Sequence, residues 1–250
     1  MVRKPAENRQ CARPIRARVA LALLAAGLSA GTPANASSFQ VDPVNLTMAA
    51  GQRRASLTIK NSDADPVAVR VFAYRWTQKD GVDVYSETED IIASPPIFTI
   101  SPGAMQLVRL GLRGPSRGNA YRIFLEEIPR QRPDNSQIQM TLRLNLPLYL
   151  LPEKGGKPEL SWRVWRDAAG DLFIAATNGG PVQAQVLEIA AADEGGGTKV
   201  LSRELGVVLP GSVRHWNAGK AAGFGAGSVM RLKIRDAVGE TAASIVVERR

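Results

Sequence analysis

From Ile138 to Leu148 the chain alternates between apolar and polar residues. Ile138, Met140, Leu142, Leu144, Leu146 and Leu148 are apolar, and Gln139, Thr141, Arg143 and Asn145 are polar. A period of two predicts a β-strand with one apolar face. Strands in globular domains usually run ~5–6 residues, so this one is long, and its apolar face carries no charge. Such a face needs a cover. Where its own domain leaves part of it open, another chain can add to the strand. The segment before it, Tyr121-Arg122-Ile123-Phe124-Leu125-Glu126-Glu127-Ile128-Pro129, predicts a companion strand, with a polar loop between the two.

Short strands and turns fill the rest of the chain. Leu46 and Met48 lie in an extended stretch ending at Gly51. Ala55, Leu57 and Ile59 alternate with polar residues up to the Asn61-Ser62-Asp63 turn, and Val67, Val69 and Val71 open a strand that runs into Tyr74 and Trp76. Asp80-Gly81 predicts a tight hairpin turn. Ser94-Pro95-Pro96 and Ser101-Pro102-Gly103 predict rigid bends. A change of phase near Leu107-Val108 predicts a bulge in the strand from Met105 to Leu112. About seven strands at this spacing predict an immunoglobulin-like sandwich. The run Pro152-Glu153-Lys154-Gly155-Gly156-Lys157-Pro158 reads as a linker. After it the pattern restarts, with strands at 160–165, 172–177, 182–189, 229–234 and 244–248. Helical periodicity is missing, so the predicted class is all-β. The domain plan is a signal segment at 1–36, a first sandwich at 37–152 and a smaller one at 153–250.

Composition changes this picture at the N-terminus. Arg3, Lys4, Arg9, Arg13, Arg16 and Arg18 precede or flank a short apolar run from Val19 to Leu28, and Ala34-Asn35-Ala36 supplies small residues for cleavage. That is the layout of a secretory signal peptide. The whole chain has 32 Lys+Arg and 23 Asp+Glu. Removing the six bases and Glu7 leaves 26 and 22, so a net charge of +9 falls to +4. Most of the basicity is therefore targeting, and nucleic acid is not an expected partner, since phosphate binding needs a clustered basic patch. Cys11, the sole cysteine, leaves with the signal. A thiol-free mature chain suits an oxidising compartment and relies on its apolar core.

The inventory for catalysis is thin. His215 is the only histidine, which excludes the usual His/Cys metal clusters and makes it the one residue a Ser-His-Asp site would have to use. Glu126 and Glu127, adjacent on a strand, point to opposite faces and cannot share a substrate. Gly223-Phe224-Gly225-Ala226-Gly227 lacks the strand, helix and lysine of a phosphate loop. No enzyme activity, cofactor, metal or small-molecule substrate is expected. Arg109, Arg113, Arg117, Arg122, Arg130, Arg132 and Arg143 read either as a solvated sheet face or as a carboxylate-binding site, because the guanidinium fork matches a carboxylate.

Together, the Ser94–Gly103 segment, Leu107-Val108-Arg109-Leu110, Tyr121-Arg122, Glu127-Ile128-Pro129, Leu146-Pro147-Leu148-Tyr149 and Pro152 resemble the periplasmic pilus-assembly chaperones. The likeness is greatest to the non-classical branch associated with spore-coat-protein-U-like subunits. The second half adds Leu160 with Trp162, Asn178-Gly179 and Leu209-Pro210-Gly211-Ser212. The resemblance implies two immunoglobulin-like β-sandwich domains in an L arrangement, acting in the periplasm. It implies a chaperone that lends a strand to pilin or spore-coat-U-like subunits and delivers them to an outer-membrane usher. Carried over to this sequence, the donor side chains are Ile138, Met140, Leu142, Leu144 and Leu146. Relatives anchor the subunit's C-terminal carboxylate with basic residues at the positions of Asn45 (or Leu46) and Pro147, which carry no charge here. Arg122 and Arg143 take their place as candidates. The basic residue that ties the domains together in relatives is Leu151. A free donor edge also predicts protection by a self-capping dimer or an ordered loop over 130–137. The alternative is a secreted structural or adhesive β-sandwich protein that uses the same strand for self-association. The short lead from Ser37 to the first strand argues against it.

Overall fold

The computed structural model describes residues 39–114, 120–129, 140–192 and 197–250, which form eighteen strands and no helix. The first ten are β1 (Phe39–Asp42), β2 (Leu46–Met48), β3 (Arg54–Asn61), β4 (Val67–Lys79), β5 (Val82–Glu87), β6 (Ile91–Ser94), β7 (Ile97–Ile100), β8 (Met105–Leu112), β9 (Ala120–Ile128) and β10 (Arg143–Leu150). They make two sheets, one ordered β1-β3-β8-β6 and the other β2-β10-β9-β4-β5, with β7 also paired to β4. The other eight are β11 (Leu160–Arg166), β12 (Leu172–Asn178), β13 (Ala184–Ala192), β14 (Thr198–Ser202), β15 (Gly206–Val208), β16 (Val213–Asn217), β17 (Val229–Asp236) and β18 (Glu240–Arg249). They follow the order β14-β13-β17-β18-β11-β12-β16, with β15 also paired to β13. β18 joins the two halves of this set, pairing antiparallel with β17 along its first part and parallel with β11 at its end. The signal segment lies outside the described residues.

Two apolar cores follow from the alternation. Leu57 and Ile59 of β3, Val67, Val69 and Val71 of β4, Val108 and Leu110 of β8, and Tyr121, Ile123 and Leu125 of β9 meet between the first two sheets. Val164, Ile174, Val186, Trp216, Leu232 and Ile234 fill the second sandwich. Each sandwich also buries one asparagine at a turn. Asn61 donates from Nδ2 to Asp65 O (2.7 Å) and Ile100 O (3.1 Å) and accepts from Asp63 N (2.9 Å). Asn178 donates to Val182 O (2.7 Å) and Val208 O (3.0 Å) and accepts from Glu159 N and Gly180 N. A buried amide is tolerated because its hydrogen-bonding groups are occupied.

The Asp80-Gly81 hairpin forms as expected, with φ of 52° and 81°, the two positive values of a type I′ turn. The predicted bulge at Leu107-Val108 is absent. β8 pairs β3 in unbroken register from Arg54↔Gly111 to Lys60↔Met105. Met105 and Leu107 are apolar residues on the outer face, 69% and 40% exposed, and this imitates a phase shift in the sequence.

The two sandwiches also touch. Trp76, Ala120 and Tyr149 on the outer face of the β10-β9-β4 sheet bury against Val207 and Leu209. The Gln78 side-chain amide donates to Val207 O (2.7 Å) and accepts from Leu209 N (3.0 Å). Arg214 pairs with Asp83 at 3.1 Å. Burial raises the Asp83 pKa, but hydrogen bonds from Gln78 and Trp76 and the charge of Arg214 outweigh it and hold the carboxyl below its ordinary range. Leu151, where relatives carry the basic tie, is 36% exposed.

Candidate functional site

The long alternating segment becomes β10, antiparallel to β9 in the register Arg143↔Glu126, Asn145↔Phe124, Pro147↔Arg122 and Tyr149↔Ala120. Its even-numbered side chains point inward. Leu144 packs against the first core, and Leu146 and Leu148 belong to it, 7% and 0% exposed. The odd-numbered side chains face outward. On its other flank β10 pairs with β2, in parallel, only over Leu148–Leu150. Among the described residues nothing pairs with that flank from Arg143 to Pro147, so this stretch is an open sheet edge.

The strand starts later than the alternation suggests. Residues 140–142 precede it. Glu127 N donates to Leu142 O at 2.9 Å, but Leu142 N donates to the Glu127 carboxylate (Oε2, 3.1 Å) rather than to the main-chain carbonyl. The side chain takes over half of that ladder pair and ends the regular pairing. Of the expected donor residues, Met140 is 77% exposed, Leu142 is half-buried, and Leu144 and Leu146 turn toward their own core. Ile138 lies outside the described residues, as does the loop at 130–137. Glu126 pairs with Arg70 at 3.0 Å on the outer face, so the two adjacent glutamates diverge as expected.

The two candidate anchors share the outer face of this sheet, each over an aromatic ring. The Arg143 guanidinium lies 4.4 Å from the Phe124 centroid, and that of Arg122 lies 3.6 Å from Trp76. Neither has a carboxylate partner among the described residues. The rings form a platform that sequence reasoning did not single out. Phe72 stacks on Phe124 (5.5 Å, 12°), and Tyr74 meets Phe124 edge-on at 5.5 Å. Its signal was present as Phe72, Tyr74 and Trp76 at alternate positions of β4, opposite in phase to Val67, Val69 and Val71. Cations over ring faces are held by the ring quadrupole, so both arginines are placed on the sheet beside the open edge. Arg109 lies on β8, in the other sheet, and Arg113 pairs with Glu89 at 3.4 Å. Arg117, Arg130 and Arg132 lie outside the described residues.

His215 packs edge-on against Trp165 with centroids 5.4 Å apart. Burial and the charge of Arg250 lower its pKa. Below the outer face, Asp90 accepts from Arg75 (2.9 Å) and from the Tyr121 hydroxyl (3.0 Å). The Arg75 guanidinium holds the Asp90 carboxyl below its ordinary range.

Residues 38–155, which include the open edge and the aromatic platform, match the model of a family described as the pili and flagellar-assembly chaperone, PapD N-terminal domain. Among solved structures, a chain of the CsuC–CsuE chaperone–tip adhesion subunit complex of Acinetobacter baumannii is 21% identical. The match covers 84% of this chain and 99% of that one, with a TM-score of 0.63. The CupB2 chaperone of Pseudomonas aeruginosa is 14% identical over 82% and 98% of the two chains, TM-score 0.53. A chain of the SafA pilin–SafB chaperone complex of Salmonella enterica is 15% identical over 85% and 97%, TM-score 0.57. At these identities the likeness shows a shared fold of two immunoglobulin-like sandwiches. Among curated proteins none matches the sequence.

Proposed function

We propose that the protein is a periplasmic chaperone that binds pilus or coat subunits by donating β10 and its approach, 138–144, to a subunit lacking a strand. The observation that carries this reading is the open edge from Arg143 to Pro147, preceded by apolar residues that the chaperone's own core does not cover. An unpaired edge satisfies its backbone groups when another strand adds to it. The family of residues 38–155 and the signal-like N-terminus support a periplasmic location reached through cleavage after Ala36. Delivery to an outer-membrane usher, the spore-coat-U type of subunit and the domain limits at 37–152 and 153–250 belong to the same proposal. Arg122 and Arg143 serve as carboxylate anchors within it, because both lie on the face beside the open edge. Co-expression with secreted subunits encoded beside the gene, followed by affinity capture, tests the reading. Capture that survives Met140→Asp and Leu142→Asp overturns it.

A further inference from the structure

The open edge is not uniform, and two hydrogen bonds show how its backbone is oriented. Glu127 N donates to Leu142 O, so an even-numbered residue turns its backbone groups toward β9. Leu151 N donates to Met48 O, so an odd-numbered residue turns its groups toward the β2 side. Backbone direction alternates along a strand. Arg143, Asn145 and residue 147 therefore direct their backbone groups at the open flank, but residue 147 is proline and has no N–H to give. Beyond it the flank is taken, because β2 begins with Leu46 opposite Leu148.

We propose that Pro147 sets the register of the added strand. It closes the ladder of donors after Asn145 and directs the incoming chain to Arg143, Asn145 and the residues before them. This deepens the strand-donation reading and rests on it. The side chains point the same way independently of the backbone. Leu146, just before the proline, is 7% exposed and committed to the chaperone's core, while Met140 is 77% exposed. A strand drawn along the whole flank would find no backbone donor at position 147 and a leucine already in use. One drawn back toward Met140 finds paired donors and acceptors with free apolar side chains. The rungs that enter the partner are then Met140 and Leu142, and Leu144 and Leu146 stay at home. Without a partner, the same proline blunts the edge against unwanted pairing.

Amide hydrogen exchange on the full mature chain tests this, comparing wild type with Pro147→Ala. The probe is a capped peptide of alternating threonine and valine. In the free wild-type protein, Arg143 and Asn145 amides should exchange fast, and Leu144 and Leu146 amides, paired to β9, slowly. The peptide should slow exchange at Arg143 and Asn145. In Pro147→Ala it should also slow exchange at the new amide and bind about fivefold tighter, the gain from one further hydrogen bond. Equal peptide affinity for the two proteins, with the new amide left fast, overturns the register proposal while leaving strand donation standing. Peptide binding that protects no β10 amide in either protein overturns donation at this edge, and the register proposal with it.

Discussion

Met140 and Leu146 belong to one alternating ladder, yet substituting them should have opposite consequences. Leu146 is 7% exposed, pairs with Ile123 of β9 and sits in the first core. Truncating such a leucine to alanine removes its transfer free energy and leaves a cavity, a loss of about 2–5 kcal/mol. Met140 is 77% exposed and precedes the strand, so Met140→Ala should change stability by no more than about 0.5 kcal/mol. For capture the order reverses. Burying a methionine side chain in a partner contributes about 1.5–3 kcal/mol, roughly ten- to a hundredfold in affinity. An aspartate at the same position would add the cost of burying its charge. Urea unfolding followed by circular dichroism measures the first effect, and surface-immobilised capture of a subunit lacking its final strand measures the second. Leu146→Ala should lower the urea midpoint. Met140→Asp should leave the midpoint in place and abolish capture. If Met140→Asp unfolds the free protein as readily as Leu146→Ala does, Met140 is internal core and the division of the ladder is wrong.

Three further outcomes are expected. Arg122→Ala or Arg143→Ala should weaken capture of a free-acid subunit about ten- to a hundredfold, the contribution of one charge-assisted bond, with little further loss when the subunit's C-terminus is amidated; wild-type affinity in both variants would remove the charged anchor. Gly81 has φ +81°, and a Cβ there would lie 2.5 Å from His215 Nδ1, so Gly81→Ala should destabilise by about 1 kcal/mol or more through backbone strain and a clash with the second sandwich; failure of His215→Ala to relieve part of the loss would refute the clash. The Asp90 carboxyl is held low by Arg75 and Tyr121, so its contribution is complete above the unfolded aspartate pKa of ~3.9 and is lost as pH falls through the lower folded value; urea midpoints measured downward from neutral pH should fall less steeply in Asp90→Asn, and identical slopes would show that Asp90 is not the group responsible.

The sequence by itself determined the class, most strands of the first sandwich and the apolar ladder. Those features rest on local rules: a period of two for strands, and positive φ at Asp80-Gly81 for the hairpin. Local pattern was less informative in the second half, where β14, β15 and β16 are short and carry little alternation of their own. It misled at Leu107, because an exposed leucine on an outer face looks like a shift of phase. It could not show where the ladder changes owner. That boundary depends on the Glu127 carboxylate taking the Leu142 amide and on β2 covering the flank only from Leu148 onward. Nor could it show that Gln78 and Asp83 hold Val207, Leu209 and Arg214. These partners are about 130 positions away along the chain, beyond the reach of any local period. Tertiary packing decided which half of an apolar ladder its own core covers and which half is left exposed.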